Sequence, residues 1–171
     1  MRKLITTLFI LGAGLCTTAF AQTVVKFGYI NSAALLAELP EVKAADSELT
    51  VLQTQLKKKG EEMVAALQQK YTEVGAKDKN GEFSPKQLET ESAKLKEEEA
   101  NISKYEQDMG QQLTKKREEL LTPILDKVNK AIAEVAKEVG YVYIFDASAN
   151  ILLYADQSTD ITVAVKKKLG I

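Results

Sequence analysis

From Glu41 onward the apolar positions of the chain alternate spacings of three and four. Val42, Ala45, Leu49, Leu52 and Leu56 form the seam of a coiled coil. Lys59 breaks the run; Met63, Leu67, Tyr71 and Val74 resume it after a phase shift that drifts toward an eleven-residue repeat and relaxes the supercoil. No proline interrupts residues 41–76, which at ~1.5 Å per residue predicts an arm of roughly 54 Å. Asn80-Gly81 marks a chain reversal. Ser84-Pro85-Lys86-Gln87 then supplies an N-cap serine, a first-turn proline and a glutamine three residues past the cap. A second helix is therefore expected to run back antiparallel from Pro85, with the tip near residues 77–84.

The return arm repeats Leu88, Leu95, Ile102 and Met109 every seven residues, but its other seam positions are Ser92, Glu99 and Glu106, with Tyr105 beside the last. A full coiled coil wants both seam positions apolar. Half a seam predicts sparse contact between the arms and an apolar-lined gap. Toward the base the face broadens through Leu113, Leu120, Leu121, Ile124, Leu125, Val128, Ile132, Val135 and Val139. Pro123 inside this run predicts a kink near 123, and Gly140 suits the position just past the helix end.

The flanks change period. Val24–Ile30 is rich in β-branched and aromatic residues and reads as a strand. Asn31 or Ser32 can cap a short helix over Ala33–Glu38, and Pro40 fits the first turn of the arm. Tyr141–Phe145 has no polar face and predicts a strand buried on both sides. Ile151–Tyr154 predicts a further strand, paired with it as a hairpin. Asp160 can cap a last helix carrying Ile161, Val165 and Leu169 on one face. Residues 22–40 and 140–171 total 51, too few for a stable domain without disulfide or metal, and their strand edges want partners. Self-assembly is the expected remedy. Val25, Phe27, Tyr29, Val142, Ile144, Phe145, Leu152 and Tyr154 are the residues expected to build that oligomer body around the 41–139 hairpin.

Composition narrows the chemistry. Residues 1–21 read as an export signal: Arg2 and Lys3, an apolar Leu4–Leu15, and Ala19-Phe20-Ala21 before a cut at Gln22. Removing Arg2 and Lys3 from the 23 basic residues leaves 21 against 24 acidic, a net charge of −3. That balance argues against nucleic acid as a partner. The chain has no His, and its one Cys, Cys16, lies in the leader. No Ser-His or Cys-His pair and no usual zinc site can then form. No catalytic residue, cofactor or metal is expected. Lys57-Lys58-Lys59 and Lys115-Lys116-Arg117 either solvate an arm face or attract anionic partners. Met63, Leu67, Tyr71, Leu88, Leu95, Ile102 and Met109 read either as ordinary hairpin seam or as an adaptable surface for unfolded chains, and both readings can hold of the same residues.

With these pieces in place, the chain resembles the Skp/OmpH family of periplasmic chaperones. The resemblance rests on VVKFGYINSAALLAELPEV, the charged hairpin, and the closing YVYIFDASANILLYADQSTDITVAVKKKL. It implies an α+β fold: a long antiparallel coiled-coil hairpin projecting from a small β-barrel body formed by trimerisation. It also implies a non-enzymatic, ATP-independent periplasmic holdase. Such a holdase shields unfolded outer-membrane proteins until the outer-membrane insertion machinery accepts them. The best-known members are strongly basic whereas this chain is slightly acidic, so no residue is assigned to lipopolysaccharide or an anionic membrane surface. The alternative is a structural or adaptor coiled coil of the envelope.

Overall fold

The computed structural model describes residues 25–171; the expected leader and its cut after Ala21 lie outside the described residues. Strand β1 (Lys26–Ile30) leads into helix α1 (Ser32–Glu38). The outgoing arm is α2 (Pro40–Lys79) and the return arm α3 (Pro85–Val139). Strand β2 (Tyr141–Asp146), two short 3-10 turns at Ala147–Ala149 and Gln157–Thr159, and helix α4 (Thr162–Leu169) complete the chain.

Local chemistry sets most boundaries. The Asn31 side chain accepts from the Ala34 N–H at 2.9 Å and caps α1. Pro40 occupies the first turn of α2. At the tip Ser84 and Gln87 form a reciprocal capping box that starts α3. The return helix runs unbroken through Pro123 and ends at Gly140, whose φ of 79° is the left-handed geometry that a side chain disfavours. Asp160 engages α4 by accepting from the Thr162 N–H at 2.8 Å.

The core sits where the hairpin meets its mount. Val128, Ala131 and Val135 of α3 pack against Leu35, Leu39 and Ile30 on one side and Ile161 and Val165 on the other. Leu35 and Val165 are wholly buried. Ion pairs ring this junction: Lys166–Glu38 at 2.5 Å, Lys127–Glu41 at 2.6 Å, and Lys168 with Glu134 and Glu138. They join partly to largely exposed groups, so each contributes little to stability.

The sheet departs from expectation. It has two strands, β1 and β2, paired in parallel from Lys26 opposite Tyr141 to Ile30 opposite Asp146. Two strands of this length cannot close, so the described residues form no β-barrel body, and nothing in them displays a trimer. The fold is mainly helical with a small open sheet. Ile151–Tyr154 is not a strand: it follows β2 as irregular chain, with Leu153 fully exposed. A strand exists only by pairing, and the 3-10 turn at Ala147–Ala149 carries the chain away from β2 instead of folding it back. Nor is β2 buried on both sides. Ile144 packs on the core, while Val142 and Tyr143 are 57% and 61% exposed. Among the described residues no second layer covers the sheet's outer face, so much of its apolar sequence stays exposed.

Asp146, at the end of β2, ties the two flanks together. Its carboxylate accepts from the Ser32 N–H at 3.1 Å, the Ser32 hydroxyl, and the Ser148 N–H at 2.9 Å. Desolvation alone pushes its pKa up, but these donors together outweigh it and hold the group at about 2, against an ordinary 3.8.

Two outcomes follow. Leu35→Ala should lower unfolding stability by about 2–5 kcal/mol, whereas Leu153→Ala, at a fully exposed site, should stay within about 0.5 kcal/mol; urea titration separates them. Because the folded pKa of Asp146 lies below its unfolded value, its stabilisation is complete above about pH 4 and is lost as pH falls through about 2. Thermal melts of the wild type and Asp146→Asn should differ near neutrality and converge at the acid end. Curves that stay parallel down to the acid end would contradict the assignment.

Candidate functional site

Along the arm the two helices touch unevenly. Ala45, Leu49 and Leu56 of α2 are buried, as the outgoing seam predicts. Beyond Leu56 the only buried residue on the arm is Leu95 of α3. Met63, Leu67, Leu88, Ile102 and Met109 are half-buried, and Tyr71 is 40% exposed. The Tyr71 hydroxyl donates to Glu99 at 2.9 Å. That bond, with desolvation second, raises the phenol pKa because ionisation would cost the donor and face a carboxylate.

Between Leu56 and Leu95 the sparse seam leaves a groove of about 510 Å³, mostly apolar, between Gly60, Val64 and Ala65 of α2 and Tyr105 and Met109 of α3. Of the seven arm candidates only Met109 lines it. Leu95 lines a separate, more polar hollow nearer the tip, with Val74 and Phe83. Met63, Leu67, Tyr71, Leu88 and Ile102 line neither. Val64, Ala65 and Tyr105 were not among the candidates. Val64 falls one position past Met63, off the heptad, and a seam count passes over it although it is 50% exposed.

The basic clusters are largely spoken for. Lys57 and Lys58 face Glu61 and Glu62 at 3.7 and 3.9 Å. The Lys59 ammonium lies 5.2 Å from the centre of the Tyr105 ring. Lys115 faces Glu119 at 3.9 Å, and Lys116 crosses to Glu48 at 2.6 Å, a bond that raises the Lys116 pKa by favouring its charged form. Four of the six basic residues in the two runs thus sit beside a glutamate.

At the mount, six of the eight residues expected in the body converge. Val25, Phe27, Tyr29, Phe145, Leu152 and Tyr154 line a concave apolar hollow of about 560 Å³. Phe27 stacks on Tyr143 with ring centres 6.1 Å apart and leans on Phe145 at the same distance. Val142 lies exposed and Ile144 turns to the core instead. Tyr143 was overlooked; it shares the exposed face with Phe145 by strand alternation.

The architecture is a long, loosely seamed hairpin on a small helical mount with a two-stranded sheet. The sequence profile of the OmpH-like outer membrane protein family matches residues 26–169. The chain belongs to that family, whose members are non-catalytic chaperones. A candidate outer membrane chaperone (OmpH-like) from Caulobacter crescentus CB15 has a crystal structure that superposes with a TM-score of 0.73. The two are 19% identical over 85% of this chain and 84% of the other, a likeness that shows the fold alone. No curated protein sequence matches the chain.

Proposed function

We propose that the chain is an ATP-independent holdase of the periplasm that captures unfolded outer-membrane proteins after they cross the inner membrane. It would release them to the outer-membrane insertion machinery. The observation that carries this reading is the under-filled seam. Over the outer arm the helices bury Leu95 alone and leave the groove beside Val64, Tyr105 and Met109 open. An unfolded chain presents scattered apolar side chains, and such a surface offers each a weak contact of ~1.5–3 kcal/mol at most. Several weak contacts hold without locking, so release needs only a better destination. Capture relies on apolar surface, since four of the five lysines in the two basic runs already face glutamates; lipopolysaccharide and anionic membrane are not favoured partners. Self-association belongs to the same reading, because the apolar hollow around Phe27 and Phe145 has no cover among the described residues. It requires neither a closed barrel nor a fixed number of chains.

The wild-type protein should suppress aggregation of an unfolded β-barrel protein diluted from denaturant. The double variant Val64→Glu, Met109→Glu should need about ten- to a hundredfold more protein for the same effect, the loss of roughly one apolar contact, with helix content unchanged. No suppression by the wild type, or capture of a single folded partner instead, would overturn the reading. Light scattering should report a mass above that of one chain, and Phe27→Lys should lower it; a wild-type monomer would refute the self-association.

A further inference from the structure

Near the middle of the arm, Gly60 sits inside α2, where glycine is the weakest helix former after proline. Close packing does not explain it. A Cβ at this position would stand 3.6 Å from the Tyr105 ring, an ordinary contact, so alanine would fit. The return helix carries its own interior glycine, Gly110, one residue past the groove-lining Met109, and a Cβ there would meet nothing. Both helices are thus weakened at nearly the same level of the hairpin.

The cross-arm contacts fall into two groups on either side of this level. Toward the base Glu41 pairs with Lys127 and Glu48 with Lys116. Toward the tip Lys70 pairs with Glu98 and Tyr71 with Glu99. Between the groups, among the described residues, one hydrogen bond joins α2 to α3. The Tyr105 hydroxyl donates to the Leu56 carbonyl at 3.0 Å. That carbonyl is the one to which the Gly60 N–H bonds in an α-helix, and its second lone pair can take the tyrosine. Tyr105 therefore clamps the turn that glycine makes weakest, and its ring, roofed by Lys59, forms one wall of the groove.

We propose that the hairpin has a joint at Gly60, latched by the Tyr105 hydroxyl on the Leu56 carbonyl, and that unlatching lets the outer arm bend and the groove widen. The joint stands on geometry. Its use, adjusting the grip on a held chain, rests on the holdase reading above.

Hydrogen exchange of the full chain, followed by mass spectrometry, tests it. Tyr105→Phe keeps the ring and removes the latch; the amides of residues 60–64 should exchange about three- to tenfold faster, the worth of one hydrogen bond. Gly60→Ala should slow the same amides. Residues 45–52, held by the buried inner seam, should keep wild-type rates in both variants. Unchanged exchange at 60–64 in Tyr105→Phe, or an even rise along the whole arm, would overturn the joint. Aggregation suppression measured on the same samples reports on the holdase reading separately, so either can fail without the other.

Discussion

The packing of α3's inner turns against α1 and α4 is the contact on which every other part of the molecule depends. Val128, Ala131 and Val135 come from the return arm; Leu35 and Leu39 precede the outgoing arm; Ile161 and Val165 lie near the chain's end. One small cluster thus gathers segments from the start, middle and end of the described chain. It fixes the angle at which the hairpin leaves and the place where β2 meets β1. The arm adds little to this cohesion, since its own buried residues are few and scattered. Stability is therefore concentrated at one end, and the outer arm is free to be loosely packed without threatening the fold.

The same division explains what could be read from residues alone. Features set by neighbours in sequence were legible: the Asn31 cap, the Ser84–Gln87 box, the Asn80-Gly81 turn and the Gly140 stop each follow from side chains within a few positions. The half-empty return seam was legible too, because it is a periodic pattern. Features set by distant partners were not. The strand read at Ile151–Tyr154 has the right composition, but pairing decides strands, and β2 pairs in parallel with β1 instead. Tyr141–Phe145 reads as doubly buried from its apolar run, yet burial depends on a second layer that the described residues do not supply. Asp146 falls between the two strands read from sequence, and its partner Ser32 is 114 positions away. In the groove Val64 lies off the heptad, and Tyr105 reaches a backbone carbonyl that no pattern of side chains encodes.

Charge shows a similar contrast between composition and geometry. In sequence the triple basic runs stand out as attractive to anions. In the fold Lys57, Lys58 and Lys115 lie beside glutamates one turn along their own helices, and Lys116 beside Glu48 of the other arm. Such solvent-facing pairs contribute little to stability. Their larger effect is on the local field: basic runs paired in this way pull on anions less than their sequence suggests, and under the holdase reading short-range apolar contact is what selects a partner.

A surface that selects by apolar contact faces a physical conflict, because exposed apolar residues on a rigid helix pair tend to close on each other. The arm avoids closure by spacing and not by bulk. Glu99, Glu106 and Ser92 occupy positions where a coiled coil would place leucine, so the helices cannot zip there. Tyr105 then spans the gap with one polar bond and keeps the walls apart while leaving Val64 and Met109 uncovered. Its hydroxyl makes this bond possible, since a leucine at the same place would carry no donor for the Leu56 carbonyl. The under-filled seam is thus the condition for the groove, and the firm core at the mount is what allows so long an arm to leave it open.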